Sequence, residues 1–279
     1  MKGVNIKDHW YYVSAASLLL AVMISQAEAR AGTPVDLELA LGVDISRSID
    51  MHEARLQRQG YIQAFRDPVV IQAIRSGTLR RLAVTYFEWA GGSAPEVVVG
   101  WTLIEDEASA LAFAESLARI APNTARHTSI SRAIDFAMAL FEGNGVEGTR
   151  RVIDVSGDGP NNWGDLVTEA RDRAVAAGIT VNGLPILDDS GGMFAAFNLP
   201  ELDLYYRDCV IGGPGAFLVV AADFSDFARA IRRKLILEIA GRRARPVPGI
   251  TRVAATRVAR ASPPCDIGEQ LMRELFEDF

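Results

Sequence analysis

The sequence is poor in the side chains that catalytic and transition-metal sites use most often. Its 279 residues include only two cysteines and three histidines. A zinc or copper site of thiolates and imidazoles is therefore unfavoured. The sequence also has no G-x-S-x-G nucleophile elbow and no phosphate-binding P-loop, which excludes the common hydrolase and nucleotide-binding patterns. Because it holds no complete catalytic constellation, we predict that the protein is not an enzyme.

The sequence also lacks an excess of positive charge, since the formal net charge is −6 at pH 7. This balance argues against a nucleic-acid-binding protein. The longest apolar run, from Tyr11 to Ile24, is shorter than the ~20 residues of a membrane-spanning helix. Lys2 and Lys7 precede it, and small residues alternate through 27–31, as in a cleavable secretory signal. We predict a signal peptide over 1–31 and a periplasmic or secreted mature chain without a transmembrane span. An uncleaved membrane anchor is the alternative.

The two cysteines, Cys209 and Cys265, both lie in the part of the chain predicted to be exported. An even number of cysteines in an oxidising compartment permits one disulfide, which would tie the C-terminal tail to the body of the protein. Two free thiols are the alternative.

Apolar segments alternate with amphipathic ones through most of the chain, which predicts an α/β fold. The predicted strands cover 36–43, 81–89, 96–103, 150–156, 179–187 and 216–221. The first predicted helix begins at Asp50, and four further helices cover 105–120, 128–141, 165–177 and 223–239. A short turn joins the second and third strands, so we expect the third strand to be an antiparallel edge. The pattern predicts a doubly wound, mostly parallel six-stranded sheet with helices on both faces.

We assign 36–241 to this domain, with an insertion loop at 188–213. The rest, 242–279, reads as a basic, proline-containing linker followed by a short amphipathic helix.

Oxygen-bearing side chains cluster where the first predicted strand ends. Asp44, Ser46 and Ser48 are spaced two apart, Asp158 follows the fourth strand, and Thr128 opens the helix before that strand. Ligands of open α/β sheets bind at the carboxyl ends of the strands. Carboxylates and hydroxyls without imidazole or thiolate suit Mg²⁺, or alternatively Mn²⁺ or Ca²⁺. The alternative is that these residues only cap the turn and the following helix.

At these residues the chain resembles the von Willebrand factor A (VWA) superfamily. The matching segments are Asp44-Ile-Ser46-Arg-Ser48, Thr128-Ser-Ile-Ser-Arg-Ala133-Ile134 and Val155-Ser-Gly157-Asp158-Gly159. They look like the three parts of that superfamily's metal-ion-dependent adhesion site. More narrowly, segments 152–162 and 210–217 resemble a bacterial family catalogued as domain of unknown function 1194.

The resemblance implies that Ser46, Ser48 and Thr128 contact the metal through hydroxyls, while Asp44 and Asp158 act largely through bound water. Neutral ligands leave the ion with uncompensated positive charge, so an acidic group of a partner would complete its coordination. Thr124 and Ser129 are alternatives to Thr128. The sequence departs from the common pattern at Gly157, where many members carry a hydroxyl residue.

These patterns predict an exported domain that binds a protein or other acidic ligand through a divalent cation. Trp89 and Trp163 fall near the predicted metal face and are candidate partner contacts, with ordinary packing as the alternative. A metal-dependent hydrolase and a vestigial scaffold without metal are the alternative functions.

Overall fold

The computed structural model describes residues 32–46, 48–187, 199–241 and 261–277. The strands are β1 (Thr33–Val35), β2 (Leu37–Asp44), β3 (Leu82–Trp89), β4 (Glu96–Ile104), β5 (Val146–Gly148), β6 (Arg151–Gly157) and β7 (Ile179–Pro185). The helices are α1 (Met51–Arg66), α2 (Pro68–Arg75), α3 (Glu107–Arg119), α4 (Ile130–Leu140), α5 (Val167–Ala176), α6 (Leu202–Tyr205), α7 (Phe227–Ala240) and α8 (Ile267–Glu277). A single π-helical turn, Tyr206–Val210, follows α6 directly.

Five strands form the central sheet in the order β4-β3-β2-β6-β7. All neighbours are parallel except β3 and β4, so β4 is the antiparallel edge that the short turn predicts. Strand β2 lies in the middle, and all eight of its residues are buried. Apolar side chains of α1, α2, α3 and α7 pack on one face of the sheet, and those of α4 and α5 pack on the other. The predicted doubly wound α/β fold is confirmed.

Local sequence signals explain where the first helices begin and end. The Asp50 carboxylate accepts hydrogen bonds from the backbone N–H groups of His52 and Glu53, and the Glu53 side chain accepts one from the Asp50 N–H. This capping box starts α1 immediately after the polar loop that follows β2. Pro68 cannot continue the helix, so α1 ends at Arg66 and α2 begins at Pro68 itself.

The segment predicted as a sixth strand, 216–221, is not a regular strand. It meets β7 only through isolated parallel bridges, which pair Leu218 with Gly183 and Ala221 with Ile186. The backbone N–H of Phe217 donates to the Asn182 side chain (2.8 Å), so that donor is not available to a regular ladder. Strands β1 and β5 instead form a separate two-stranded sheet that the sequence reading did not predict.

The predicted insertion loop is partly helical, since α6 and the π-helical turn occupy 202–210. Apolar side chains of this stretch, including Leu202, Tyr205 and Tyr206, are buried against the α4–α5 face of the sheet, which explains why it is ordered as helix. Three predicted segments fall wholly or partly outside the described residues. They are the signal peptide, the part of the insertion at 188–198 and most of the linker. Within the described ranges, no helix is long and apolar enough to cross a membrane.

Candidate metal centre

The parallel pairing of β2 with β6 brings the two predicted acidic ligands together. Val43 lies opposite Ser156 in the register of this pair. Asp44 is the last residue of β2, and Asp158 directly follows Gly157, the last residue of β6. Both carboxylates sit at the carboxyl edge of the sheet, where the chain turns away towards the helices.

A continuous set of contacts joins the first motif to Asp158. The backbone N–H of Ser46 donates to Oδ1 of Asp44 (2.7 Å). The hydroxyls of Ser46 and Ser48 are 3.2 Å apart, and Ser48 Oγ donates to Oδ1 of Asp158 (2.8 Å). The structure thus brings together Asp44, Ser46, Ser48 and Asp158.

Asp44 is a buried carboxylate in an electrostatically unfavourable environment. Its side chain is fully buried, its Oδ2 has no hydrogen-bond partner, and it makes no ion pair with any described residue. Burial and, second, the neighbouring Asp158 carboxylate raise the pKa of Asp44 well above its ordinary value, against hydrogen bonds from Ser46 that lower it. A buried carboxylate in this state gains from any cation that comes within coordination distance.

Thr128 lies in the loop before α4 and is bound to the segment that follows Asp158. Its N–H donates to Oδ1 of Asn162, and the Asn162 N–H donates to the Thr128 carbonyl, both at 2.9 Å. The cap of α4 is Ser129 rather than Thr128, and the helix begins at Ile130. Ser129 Oγ donates to the carbonyl of Trp163 and accepts the N–H of Arg132. Because these hydrogen bonds occupy the Ser129 hydroxyl, Thr128 is the better candidate ligand.

Two asparagines that the sequence reading gave no role hold these loops in place. Asn162 ties its own segment to Thr128, as described above. Asn161 accepts the N–H of Ser131 at Oδ1 (3.0 Å) and donates from Nδ2 to Glu269 of α8 (2.7 Å). The consecutive amides after Asp158 were the only signal in the sequence, because a side-chain amide can bridge backbone groups of neighbouring loops.

The tryptophans predicted as partner contacts have different positions. Trp89 is wholly buried, because it ends a strand that is covered on both faces, so the structure corrects the expectation for this residue. Trp163 is 41% exposed and stacks on His127, with ring centroids 4.7 Å apart. His127 directly precedes Thr128, so this aromatic pair borders the candidate metal centre.

The donor set fits a hard cation. Among the residues with described positions, no three His, Cys, Asp or Glu side chains group as a metal site. The cluster here instead combines two carboxylates with hydroxyls, and the unpartnered Asp44 Oδ2 supplies an acceptor that the protein does not use. Oxygen ligands of this kind match Mg²⁺ and its hard relatives.

The cysteines are joined. Cys209 in the π-helical turn and Cys265, just before α8, form a disulfide with their Cα atoms 5.4 Å apart. It links the C-terminal segment to the stretch that packs beside the candidate centre.

Comparison with known proteins places the chain in a family. Residues 34–243 match the model of a family described as protein of unknown function DUF1194. The chain belongs to this family. A comparison with curated proteins found no match.

Solved structures show the fold of this family member. A von Willebrand factor type A structure from Catenulispora acidiphila matches 74% of the chain with 14% identity and a TM-score of 0.50, over 43% of its own length. The pilus adhesin SpaC from Lactobacillus rhamnosus GG, in an open conformation, matches 75% with 14% identity and a TM-score of 0.53, over 30% of its length. The DUF1194 chain therefore has a VWA-like fold and spans less than half of each of these structures.

Proposed function

We propose that this DUF1194 protein is an exported binding domain that holds an acidic group of a partner through a divalent cation. The cation would be Mg²⁺, or Mn²⁺ or Ca²⁺ in its place, held by Asp44, Ser46, Ser48, Thr128 and Asp158. One observation carries the proposal. The buried Asp44 carboxylate lies beside Asp158 and two serine hydroxyls, with one oxygen unpartnered and no ion pair to a described residue.

Each residue of the proposed site has a distinct role in positioning the ligands. The Ser46 N–H fixes Oδ1 of Asp44, which leaves Oδ2 as the available acceptor. Ser48 and Asp158 are hydrogen-bonded to each other, and the Asn162 amide sets the position of Thr128. When bound, the cation would supply positive charge that the neutral hydroxyls do not cancel, and so attract a carboxylate of the partner.

The rim beside the site supports a macromolecular or peptide partner. The exposed Trp163 ring, stacked on His127, offers a large contact surface next to Thr128. Aromatic side chains of this kind frequently anchor protein interfaces. Arg126 is also exposed in the same loop and suits an acidic partner.

Calorimetric titration with Mg²⁺ and with Mn²⁺ tests the proposal. We expect the wild-type protein to bind one cation and Asp44→Asn to lose at least ~100-fold in affinity, since a ligand is lost. Asp36→Asn is a matched control, because Asp36 precedes β2 at the opposite edge of the sheet and accepts the N–H groups of Leu79 and Arg81. Equal binding by wild type and a folded Asp44→Asn variant would overturn the site.

Partner capture then separates adhesion from simple metal binding. The acidic-group hypothesis predicts that capture on immobilised protein requires the cation, disappears with chelator and is weakened by Trp163→Ala. Capture that is unaffected by chelator and by Trp163→Ala would contradict this hypothesis.

A further inference from the structure

Tyr206 was not among the residues that the sequence singled out, yet its hydroxyl is directed at the candidate metal centre. The side chain is fully buried, and its hydroxyl has no hydrogen-bond partner among the described residues. Unsatisfied buried polar groups are rare in native proteins, and each one requires an explanation. Asp44 Oδ2 is a second unpartnered buried atom in the same region.

Gly157 shows how close these two atoms are. A β-carbon at Gly157 would lie 2.8 Å from Asp44 Oδ2 and 3.0 Å from the Tyr206 hydroxyl oxygen. Both atoms therefore approach the same point, and the missing side chain leaves room for both. Any other residue at 157 would push them apart.

Gly183 on the neighbouring strand makes room for the ring itself. A β-carbon there would lie 2.7 Å from Cδ1 of Tyr206. Gly157 of β6 and Gly183 of β7 lie on adjacent strands, which are paired at Val155–Gly183 and Gly157–Pro185. Two glycines thus form a slot that admits the Tyr206 ring and directs its hydroxyl to Asp44 on β2.

Contacts of the residues that follow Tyr206, and of its neighbour Tyr205, hold the backbone in place. The Ile211 N–H donates to the Tyr206 carbonyl (2.9 Å), and Cys209 in the same turn is bonded to Cys265. The adjacent Tyr205 hydroxyl accepts the N–H of Asn161 (3.1 Å), so the two tyrosines contact both ends of the segment that contains Asp158.

We propose that Tyr206 is a positioning residue of the metal centre, whose hydroxyl donates a hydrogen bond to Asp44 Oδ2, directly or through one water, and holds that carboxylate towards the cation. It would supply, from a distant part of the chain, the hydroxyl that the VWA pattern commonly carries at position 157. Partners that orient metal-ligating carboxylates are typically worth 10–100-fold in metal affinity. This inference rests on the proposed metal site.

The test compares Tyr206→Phe with Tyr61→Phe, in the full chain. Tyr61 is an equally buried phenol, but its ring packs on Tyr86 and Phe227. We expect Tyr206→Phe to weaken Mn²⁺ binding by about tenfold. Tyr61→Phe should bind as the wild type does, while both variants have similar unfolding temperatures in chelator.

The tyrosine ultraviolet difference spectrum on adding Mn²⁺ gives a readout that a purely structural role would not affect. The signal should be present in the wild type and in Tyr61→Phe, and absent in Tyr206→Phe. If Tyr206→Phe does not fold, the wild-type spectrum decides instead, because a tyrosine signal that does not change on adding Mn²⁺ would overturn the positioning role.

Mn²⁺ affinity of Tyr206→Phe within twofold of wild type would overturn the positioning role, while loss of binding in Asp44→Asn would leave the proposed function standing. A wild-type protein that binds no Mn²⁺ would overturn both, so the two failures are distinguishable.

Discussion

Among the described residues, two pairs of buried carboxylates differ in whether a cationic side chain of the protein accompanies them. Asp154 and Glu238 share the ammonium group of Lys234, which is 2.8 Å from Asp154 Oδ2 and 3.3 Å from Glu238 Oε2. The Asn182 side-chain amide also donates to both carboxylate oxygens of Glu238, at 2.8 and 2.9 Å. Asp44 and Asp158 instead have serine hydroxyls and backbone donors around them, and Asp44 has no described ionic partner.

This difference separates a structural cluster from a candidate binding site. The Lys234 cluster contains its own cation, so it has no need of an external one. The Asp44 cluster has no cationic side chain of a described residue paired with Asp44, and it lies at the edge of the sheet where ligands bind. Proteins tolerate such an imbalance mainly where function requires it.

The largest expected effect comes from removing the internal cation. Lys234→Met should lower the free energy of unfolding by about 3–5 kcal/mol, because it leaves two buried carboxylates unneutralised. Urea unfolding at neutral pH measures the change. Replacing all three members, with Asp154→Asn, Lys234→Met and Glu238→Gln, should recover most of the loss. A single Lys234→Met variant within about 1 kcal/mol of wild type would show that the cluster is not ionic.

The pH dependence of the same cluster gives the next effect. Burial, opposed by Lys234, raises the pKa of Asp154 from its ordinary value to about 6. The folded state therefore binds this proton more tightly than the unfolded state, and that advantage disappears as pH rises from 4 to above 6. Relative to Asp154→Asn, the wild type should lose about 2 kcal/mol of stability between pH 4 and 7.

Asp67 provides a control of opposite sign for this scan. A hydrogen bond from Arg232 lowers the pKa of Asp67, so the wild type should gain stability relative to Asp67→Asn as pH rises out of the acid range. Parallel pH curves for the Asp154 and Asp67 variants would contradict the assigned environments.

The smallest expected effect is the change in stability of Asp44→Asn without metal. In chelator, Asp44→Asn should raise the free energy of unfolding by about 1 kcal/mol, because it removes an unneutralised buried charge while the amide oxygen can still accept the Ser46 N–H. Thermal and urea unfolding without metal measure this gain. A loss of more than about 1 kcal/mol would mean that Asp44 is mainly a structural residue.

Much of the fold could be predicted from the sequence because its signals are local. The apolar run of β2, the Asp50–Glu53 capping box and Pro68 each act within a few residues. The irregular pairing of 216–221 depends on Asn182, a residue far along the chain that binds the Phe217 N–H. No periodicity in either segment encodes that contact.

The convergence of the candidate ligands could be predicted from the sequence, but the residues that support them could not. Side chains at strand ends converge by the topology of the sheet, which is why Asp44 and Asp158 could be paired. Tyr206 reaches them only because Gly157 and Gly183 lie on adjacent strands, which a linear reading does not show. Trp89 was predicted to be an exposed partner contact because its position at the end of β3 suggested a loop. In the structure its side chain is buried.

The most direct measurement is the position of a manganese ion in crystals of the protein grown with Mn²⁺, located by anomalous scattering. We expect one strong peak among the side-chain oxygens of Asp44, Ser46, Ser48, Thr128 and Asp158, and no peak there in Asp44→Asn crystals. An empty cluster at millimolar Mn²⁺, or a peak held only by other residues, would contradict the assignment of this edge of the sheet as a cation-binding site.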